Sequence, residues 1–332
     1  MERILEVENL HVTFSTYGGT VKAVRGVDFY LNKGETLAIV GESGCGKSVT
    51  SNAIMRLIPS PPGKIASGSI RFKDVEITSV TERKMRDIRG VDISMIFQDP
   101  MTALNPTLTI GSQLMEGLME HQKVSARMAK KKALDMLHLV GIPNPEERLK
   151  QYPHQFSGGM RQRIVIAIAL ICEPDLLIAD EPTTALDVTI QAQILELFET
   201  IQKKTGVSII LITHDLGVVA TIADRIAVMY AGKIIETGTK REIFYQPQHP
   251  YTRGLLHSVP RLDQKGELQP IDGTPPDLFS PPEGCPFTAR CPFAMEVCNK
   301  VYPVQTELTA SHKVDCWLQD ERAKKLLASA RK

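Results

Sequence analysis

The amino-acid sequence predicts an α/β protein whose core is a parallel sheet covered by helices. Continuous apolar runs recur along the chain at 36–40, 176–179 and 208–213, and each is bounded by polar or turn residues. Helical patterns stand between these runs, and alternation of strand and helix is typical of a parallel sheet that is buried on both faces. The first run leads into a glycine-rich loop and then into a helical segment over 48–57.

Two further regions complete the predicted architecture of this part of the chain. Apolar residues recur with strand-like spacing over 4–14 and 21–31, which predicts a small antiparallel β subdomain at the N-terminus. Between about 107 and 149 the strand pattern fades, and Met, Lys, Ala and Leu recur at helical spacing. The sequence therefore predicts an inserted helical subdomain, over about 99–160.

The composition changes again beyond about Gly238, where eleven of the 21 prolines are found. Proline lacks a backbone donor and is confined to the edges of sheets, so this tail is not expected to continue the sheet. We predict one large domain over 1–238 and a small Pro/Cys-rich C-terminal appendage over 239–332.

Composition and charge exclude several classes of protein. The chain has 332 residues, of which 42% are hydrophobic and 23% charged, a balance that excludes collagen, coiled coil and wholesale disorder. A net charge of +1 argues against an overall basic surface for nucleic acid. The longest apolar run, 164–172, is shorter than the ~20 residues of a membrane helix, and the N-terminus does not resemble a leader. We expect a soluble protein of the reducing cytoplasm, with thiols rather than disulfides.

A phosphate-binding loop is predicted after the first buried strand. The segment Gly41-Glu42-Ser43-Gly44-Cys45-Gly46-Lys47-Ser48 matches G-x-x-x-x-G-K-[ST]. Its glycines let several N–H groups face an anion, Lys47 would reach the β- and γ-phosphates of a nucleotide, and the Ser48 hydroxyl would bind Mg²⁺. The alternative is an ordinary glycine-rich turn, which the preceding strand and the following helix disfavour.

Two adjacent carboxylates, Asp180 and Glu181, end the buried run 176–179. Unpaired charge at the end of a buried strand is costly, so a cation is the expected partner. Asp180 would hold Mg²⁺, and Glu181 would orient and polarise a water molecule as a general base. The alternative is a solvated turn before Pro182.

The segment Phe156-Ser157-Gly158-Gly159-Met160-Arg161-Gln162-Arg163 resembles the signature loop of ATP-binding-cassette ATPases, with Phe156 for the usual Leu and Met160 for the usual Gln. Further motifs resemble other parts of that family: Phe97-Gln98-Asp99-Pro100 its Q-loop, Thr184-Ala185-Leu186-Asp187 its D-loop, and His214 its switch histidine. Tyr17 lies where the family places an aromatic residue that stacks on adenine, with Phe14 as the less favoured alternative. The motifs follow the family's order over about residues 4–240.

This resemblance implies an ATPase that works as a pair of cassettes, with ATP held between the phosphate loop of one and the signature loop of the other. The implied ATP-binding residues are Tyr17, Gly41, Ser43, Gly44, Cys45, Gly46, Lys47, Ser48, Val49 and Gln98. The implied catalytic residues are Glu181, His214 and Gln98, and the Mg²⁺ ligands are Ser48, Gln98 and Asp180. Ser157, Gly158 and Gly159 would act on the ATP of the other subunit, and Asp187 belongs to the D-loop.

The tail narrows the resemblance to one branch of the family. Gln248-His249-Pro250-Tyr251-Thr252 and Gly284-Cys285-Pro286-Phe287 resemble the C-terminal extension of bacterial dipeptide, oligopeptide and nickel importers, and the chain resembles their D-type ATPase subunit. The implied partners are a second ATPase (a related F-type subunit or a second copy), two membrane permeases and, indirectly, an extracytoplasmic solute-binding protein. The implied location is peripheral, on the cytoplasmic face of the inner membrane.

The sequence leaves three alternatives to a peptide importer. The same branch includes importers of nickel or other small solutes. Soluble cassette ATPases that act on nucleic acid or ribosomes usually carry two cassettes or long coiled-coil insertions, which this chain lacks, so no nucleic-acid partner is expected. A regulatory module with an inactive site is disfavoured by the intact Lys47, Asp180, Glu181 and His214.

The tail also holds four of the six cysteines, Cys285, Cys291, Cys298 and Cys316. Four thiolates in a proline-rich segment with little core suggest a metal site, and tetrahedral sulfur ligands suit Zn²⁺ or iron–sulfur. The spacing lacks the C-x₂-C pairs usual for zinc, whereas Cys-Pro occurs in cluster-binding sequences. The resemblance implies a [4Fe–4S] cluster, with Zn²⁺, free thiols or disulfides as alternatives.

The remaining predictions concern one histidine of the tail and the two cysteines outside it. His312 is a substitute metal ligand or, as the favoured interpretation, a surface histidine. Cys45 and Cys172 are predicted to be isolated thiols, the first inside the phosphate loop and the second in the core.

Overall fold

The computed structural model describes residues 2–99, 103–184, 186–258 and 271–330, with side chains up to residue 325. Its strands are β1 Arg3–Thr16, β2 Gly19–Asn32, β3 Thr36–Val40, β4 Gly63–Phe72, β5 Val75–Glu76, β6 Ile93–Ile96, β7 Leu176–Asp180, β8 Ser208–Thr213, β9 Arg225–Tyr230, β10 Lys233–Thr239, β11 Thr306–Glu307 and β12 Lys313–Val314.

The helices of the described residues follow the same chain order. They are α1 Lys47–Ile54, α2 Glu82–Ile88, α3 Ile110–His121, α4 Ala126–Leu139, α5 Pro145–Arg148, α6 Gly158–Leu170, α7 Val188–Thr205, α8 Leu216–Ile222, α9 Lys240–Tyr245, α10 Pro250–His257, α11 Glu296–Lys300 and α12 Glu321–Ala330. Short 3₁₀ turns occupy Pro153–Gln155, Thr288–Arg290 and Trp317–Gln319.

The chain divides into two compact units, each made of separate segments. The first unit consists of Met1–Leu5, Leu31–Thr36 and Phe72–Thr213. The second unit consists of Glu6–Tyr30, Leu37–Arg71 and His214–Lys332.

In the first unit, β7 lies between β6 and β8, and both pairings are parallel. Every residue of β7 and β8 is buried. A parallel strand that is covered on both faces needs this continuous apolar character, which is why the runs 176–179 and 208–213 read as buried strands. The parallel α/β core predicted from the sequence is confirmed.

The helices α3 and α4 of the first unit pack through one face each. α3 buries Ile110, Leu114 and Leu118, and α4 buries Ala129, Ala133 and Leu137. Residues four apart stand on the same face of a helix, so this spacing aligns each set in one stripe. Thr109 and Ser125 cap the two helices through their hydroxyl oxygens, which accept from the N–H groups of Ser112 and Met128. Helices therefore occupy the region of about 107–149, where the sequence shows no strand pattern.

In the second unit, β3 pairs in parallel with β9, and β10 pairs antiparallel with β9. In a separate sheet of this unit β2, β1 and β4 lie side by side, and the two-residue turn at 17–18 makes β1 and β2 antiparallel. The N-terminal antiparallel subdomain predicted from the alternating pattern is confirmed.

The tail extends the sheet of the second unit, which the proline content did not predict. β12 pairs antiparallel with β10, with Val314 opposite Glu236, and β11 pairs antiparallel with β12. The expectation that the tail adds no strand was wrong, because the last proline is Pro303 and both strands lie in the proline-free stretch that follows.

The tail also contributes to the hydrophobic core of the second unit. Tyr251 and Phe287 are buried in one cluster with Val40, Val228 and Tyr230, which come from β3 and β9. The ring centroids of Tyr251 and Tyr230 are 4.5 Å apart, and that of Phe287 lies 5.3 Å from each. Aromatic groups at these separations stabilise one another beyond the burial of their area.

None of the helices in the described segments is both long enough and apolar enough to cross a membrane.

Candidate active site

The glycine-rich loop joins β3 to α1 and curls around the side chain of Lys47. The Nζ atom of Lys47 donates to the carbonyl oxygens of Gly41 at 2.7 Å and Glu42 at 3.0 Å, and the residue is 4% exposed. Gly46 precedes the helix with a φ of 105°, a left-handed conformation that favours glycine. A Cβ atom on Gly41 would lie 2.1 Å from the carbonyl oxygen of Met229, so only glycine fits. The loop therefore holds an ammonium group in its curve, as an anion site requires.

The other predicted ATP-binding residues of the second unit lie on or near this loop. Ser43 and Gly44 are exposed, Ser48 and Val49 are half-buried, and Cys45 is buried. Burial raises the pKa of the Cys45 thiol. Tyr17 is fully exposed in the turn between β1 and β2, so its ring has a free face for stacking.

In the first unit, two of the predicted catalytic residues are brought into contact at the end of β7. The Oε2 atom of Glu181 accepts hydrogen bonds from Nε2 of Gln98 and from Oγ1 of Thr184, each at 3.0 Å. The φ of Glu181 is 48°, a left-handed conformation that costs free energy in a residue with a side chain and is typical of functional sites. Its N–H donates to the carbonyl oxygen of Ile212 on β8 at 2.8 Å, which fixes this backbone. Asp180, the last residue of β7, is buried.

The signature and D-loop residues stand at the starts of two helices of the first unit. Ser157 caps α6, its Oγ accepting from the N–H of Met160 at 3.4 Å, and Asp187 caps α7, its Oδ1 accepting from the N–H of Ile190 at 2.9 Å. Gly159 faces α7 closely, because a Cβ atom there would lie 2.8 Å from Cγ2 of Ile190. Ser157, Gly158 and Asp187 are exposed.

His214 directly follows β8 and is exposed. Pro100 and Ala185, which belong to the Q-loop and D-loop motifs, lie outside the described residues.

Two residues of the D-loop and signature motifs, which were not among the predicted site residues, contact the segment around Glu181. Thr184 binds Glu181 directly, and Gln162, which is 1% exposed, donates from Nε2 to the carbonyl oxygen of Pro182 at 2.7 Å. Gln162 thus links α6, which begins at the signature motif, to the residue after Glu181, the predicted general base. A buried polar side chain needs a partner, but the sequence does not show that Gln162 is buried, because it stands between Arg161 and Arg163 in the polar first half of α6.

The four tail cysteines line one small cavity but do not fit the predicted [4Fe–4S] cluster. The cavity between Cys285, Cys291, Cys298 and Cys316 has a volume of about 10 Å³, room for about one water molecule. In the described part of the chain, no group of three or more His, Cys, Asp or Glu side chains is arranged to hold a metal ion. The predictions of an iron–sulfur cluster and of a metal-binding tail were therefore wrong, and the alternative of Zn²⁺ has no support.

The protonation of these cysteines agrees with that correction. Burial raises the pKa of Cys285 to about 11 and that of Cys316 to about 12, and it also raises the pKa of Cys291. Metals bind thiolates and displace the thiol proton, so a raised pKa makes metal binding at neutral pH less favourable. The wide sequence gaps were compatible with a cluster, but in the folded tail the cysteines are free thiols, two of them buried and two partly exposed.

His312 is not a surface residue, as the favoured interpretation had it. It is 2% exposed, and its Nε2 lies 2.8 Å from Oε1 of the buried Glu236. Glu236 also accepts from the N–H groups of Gln248 and His249 at 2.7 and 2.9 Å. The pairing of β12 with β10 brings His312 to this carboxylate, which the sequence does not indicate.

Two family models match the chain. One, described as ABC transporter, matches residues 24–184, and the other, described as Oligopeptide/dipeptide transporter, C-terminal region, matches residues 235–298. The first match contains the phosphate loop, the Q-loop, the signature and the acidic pair. The second contains the tail motifs and three of its four cysteines.

Curated relatives match nearly the whole chain. The dipeptide transport ATP-binding protein DppD of Bacillus subtilis (strain 168) is 71% identical over 330 residues, which cover 99% of this chain and 98% of the relative. The oligopeptide transport ATP-binding protein OppD of the same organism is 59% identical over 326 residues, covering 98% of this chain and 91% of the relative.

Solved structures give the same result for the fold. The ATP-binding cassette MJ0796, in a dimeric post-hydrolysis state bound to ADP and Pi, has a TM-score of 0.64 and 26% identity, covering 71% of this chain and 99% of that one. CbiO1 from Clostridium perfringens, part of the ABC transporter complex CbiONQ, has a TM-score of 0.63 and 30% identity, covering 74% and 92%. The chain therefore belongs to the ABC transporter family of ATPases, in the branch that carries the oligopeptide/dipeptide transporter C-terminal region.

Proposed function

We propose that this chain is the ATP-hydrolysing subunit of an importer of dipeptides or oligopeptides. The observation that carries the ATPase activity is the carboxylate of Glu181, held by Gln98 and Thr184 at the end of a buried parallel strand. The peptide substrate rests on the names of relatives that match almost the full chain at 71% and 59% identity. Cassette dimerisation driven by ATP would power alternating access in the permeases.

The residues of the phosphate loop fit a nucleotide bound with Mg²⁺. A buried ammonium in the curve of a glycine-rich loop suits an anion, and Lys47 would contact the β- and γ-phosphates. Ser48, Gln98 and Asp180 offer the oxygen ligands that Mg²⁺ prefers, and the ion would neutralise charge on the phosphates. The exposed ring of Tyr17 would stack on adenine.

Glu181 would orient the attacking water, and His214 would hold the water and the γ-phosphate in line. Ser157, Gly158 and Gly159 would contact the ATP of the second cassette, which agrees with the exposure of Ser157 and Gly158. In phosphoryl transfer, positioning and charge neutralisation supply most of the catalysis. Asp187 would act from the D-loop at the same interface.

We divide the chain into a cassette over 1–238 and a peptide-importer extension over 239–332, and we infer that the chain assembles with partners. These are a second ATPase, which we take to be a related F-type subunit, two membrane permeases, and indirectly a solute-binding protein. The chain would then lie on the cytoplasmic face of the cell membrane as a peripheral subunit.

A basic groove in the first unit is the surface that we assign to the permeases. It lies beside α2 and the C-terminal end of α3 and has a volume of about 830 Å³. Its lining carries Arg83, Arg86, Arg89, His121 and Lys123 against Asp87 and Glu120. Charge complementarity favours an acidic segment of the permease in this groove. Reversal of charge at Arg86 (Arg86→Glu) should weaken copurification with the permeases without a change in nucleotide binding.

The function is tested by reconstituting the chain with its partner ATPase and permeases in lipid vesicles. Phosphate release is measured with the solute-binding protein and a dipeptide, an oligopeptide, Ni²⁺ or duplex DNA. We expect stimulation by a peptide, and none in a Lys47→Met variant that has lost phosphate binding. Stimulation by Ni²⁺ or DNA alone would contradict the proposal.

A further inference from the structure

The C-terminal tail holds Glu42, the second residue of the phosphate loop, through both its side chain and its main chain. Arg290 donates from both terminal guanidinium nitrogens to the two carboxylate oxygens of Glu42, at 2.8 and 3.1 Å. The side chains of Arg290 and Glu42 are 6% and 25% exposed. The hydroxyl oxygen of Tyr251 accepts from the N–H of Glu42 at 2.9 Å. A forked, shielded ion pair of this kind fixes geometry as well as charge.

Arg290 is itself fixed in position by other parts of the second unit. Its Nε donates to the carbonyl oxygen of Asp272 at 2.8 Å, and one terminal nitrogen donates to the carbonyl oxygen of Ile271 at 3.0 Å. The other terminal nitrogen donates to the hydroxyl of Tyr230 at 3.2 Å. All three nitrogens are therefore in use, and the guanidinium cannot turn without losing several hydrogen bonds.

The segment that leads to Arg290 is anchored along β2. The carbonyl oxygen of Leu278 accepts from the N–H of Lys22 at 2.9 Å, and that of Pro282 accepts from Arg25, also at 2.9 Å. A Cβ atom on Gly18 would lie 3.7 Å from the ring of Phe279, which places this ring at the turn that carries Tyr17. The tail thus follows the second unit from the predicted adenine end to the phosphate loop.

We propose that Arg290 is a positioning residue for nucleotide binding, which acts on the phosphate loop through Glu42. The inference rests on the proposed ATP site of this loop. The carbonyl oxygen of Glu42 is one of the two that hold Nζ of Lys47, so a shift of Glu42 shifts the ammonium that meets the phosphates. Arg290 also neutralises a carboxylate that would otherwise repel the nucleotide from within its own loop.

The test is a double-mutant cycle on the full chain, made of Arg290→Met, Glu42→Gln and the double variant. The dissociation constant of ADP is measured by titration calorimetry well below the unfolding temperature. We expect Arg290→Met to weaken ADP binding by about tenfold, as the loss of hydrogen bonds to a charged group predicts. The double variant should bind no worse than Arg290→Met alone, because both changes remove the same pair.

Two further variants separate positioning from stability. Tyr302→Phe removes a hydrogen bond to Asp315 in the tail that does not reach the phosphate loop. It should lower the unfolding temperature and leave ADP binding unchanged.

Arg290→Lys keeps the positive charge but loses the paired hydrogen bonds to the two carboxylate oxygens of Glu42. In the assembled transporter this variant should raise the KM for ATP with little change in kcat.

Each outcome bears on one of the two proposals. If the unaltered chain binds no ADP, the proposed ATP site fails before the variants are compared. If the unaltered chain binds ADP and Arg290→Met binds equally well, the positioning role is refuted. Independent losses that multiply in the double variant would refute it too.

Discussion

Glu181→Gln is the substitution that tests the catalytic centre most directly. The amide has nearly the same shape as the carboxylate and keeps an oxygen that accepts from Gln98 and Thr184, which now bind Oε2 at 3.0 Å. The left-handed backbone at φ 48° is not altered by the change. ATP should therefore bind as before, because no group assigned to the phosphates is removed.

The expected loss lies in the hydrolytic step. A positioned general base contributes about 10²–10⁴-fold to a rate, or about 3–5 kcal/mol of activation free energy. An amide cannot accept the proton of the attacking water, so kcat should fall by about that factor. Thr184→Val removes only one of the two hydrogen bonds that orient the carboxylate, so its loss should be smaller, about tenfold.

Phosphate release from the assembled transporter measures turnover, and binding of ATP to the full chain is measured separately. Glu199→Gln is the matched control, because it makes the same chemical change on α7, where Glu199 pairs with Lys203 away from the catalytic segment. This control should retain full turnover. If Glu181→Gln kept kcat within a few-fold of the unaltered chain, the assignment of Glu181 as the base would be wrong.

Three further predictions concern stability and accessibility. His312→Leu should lower the free energy of unfolding by about 2–3 kcal/mol, measured by thermal melting, because it deprives the buried carboxylate of Glu236 of a hydrogen-bond donor. Burial raises the pKa of Glu236, but its hydrogen bonds outweigh burial and hold the pKa below its ordinary value of 4.5. The stability that the ionised carboxylate contributes is therefore present above pH 4.5 and should be lost as the pH falls through the lowered pKa. Gly159→Ala should lower the free energy of unfolding by about 1–3 kcal/mol, because the added Cβ atom would lie 2.8 Å from Cγ2 of Ile190. Ile190→Ala in the same chain should relieve that loss. A Gly159→Ala variant of unchanged stability would contradict this packing. ADP should slow the alkylation of Cys45 by iodoacetamide, followed by mass spectrometry, and an unchanged rate would remove Cys45 from the nucleotide site.

Those parts of the site that are contiguous in sequence could be predicted from it. The phosphate loop is a local structure, since Gly41, Gly46 and Lys47 need only the strand before them and the helix after them. The acidic pair at the end of β7 could be predicted because a buried strand that ends in charge is rare without a ligand. The resemblance assigned Gln98 and Glu181 to one site, but their hydrogen bond was not predicted, because 83 residues separate them.

The contacts of the tail could not be predicted, because they join residues that are far apart in sequence. Glu42 meets Tyr251 across 209 residues and Arg290 across 248. The burial of His312 depends on the pairing of β12 with β10. A strand of two residues is too short to show the alternating pattern that would predict this pairing. The spacing of the four cysteines likewise says nothing about the volume enclosed between them, which decides whether a cluster fits.

The two short strands of the tail have a further consequence for how the protein behaves in solution. β10 would otherwise present a row of unpaired backbone groups, and such exposed edges template the pairing of one chain with another. β12 covers the β10 edge at Glu236 and Thr237, and β11 then ends the sheet with only two residues. The outer pair carries opposite charges, with Lys313 bound to Glu307. Short length and charge at the last strand are the features that natural sheets use against aggregation, so the tail disfavours edge-to-edge pairing of this sheet with another chain as well as contacting the phosphate loop.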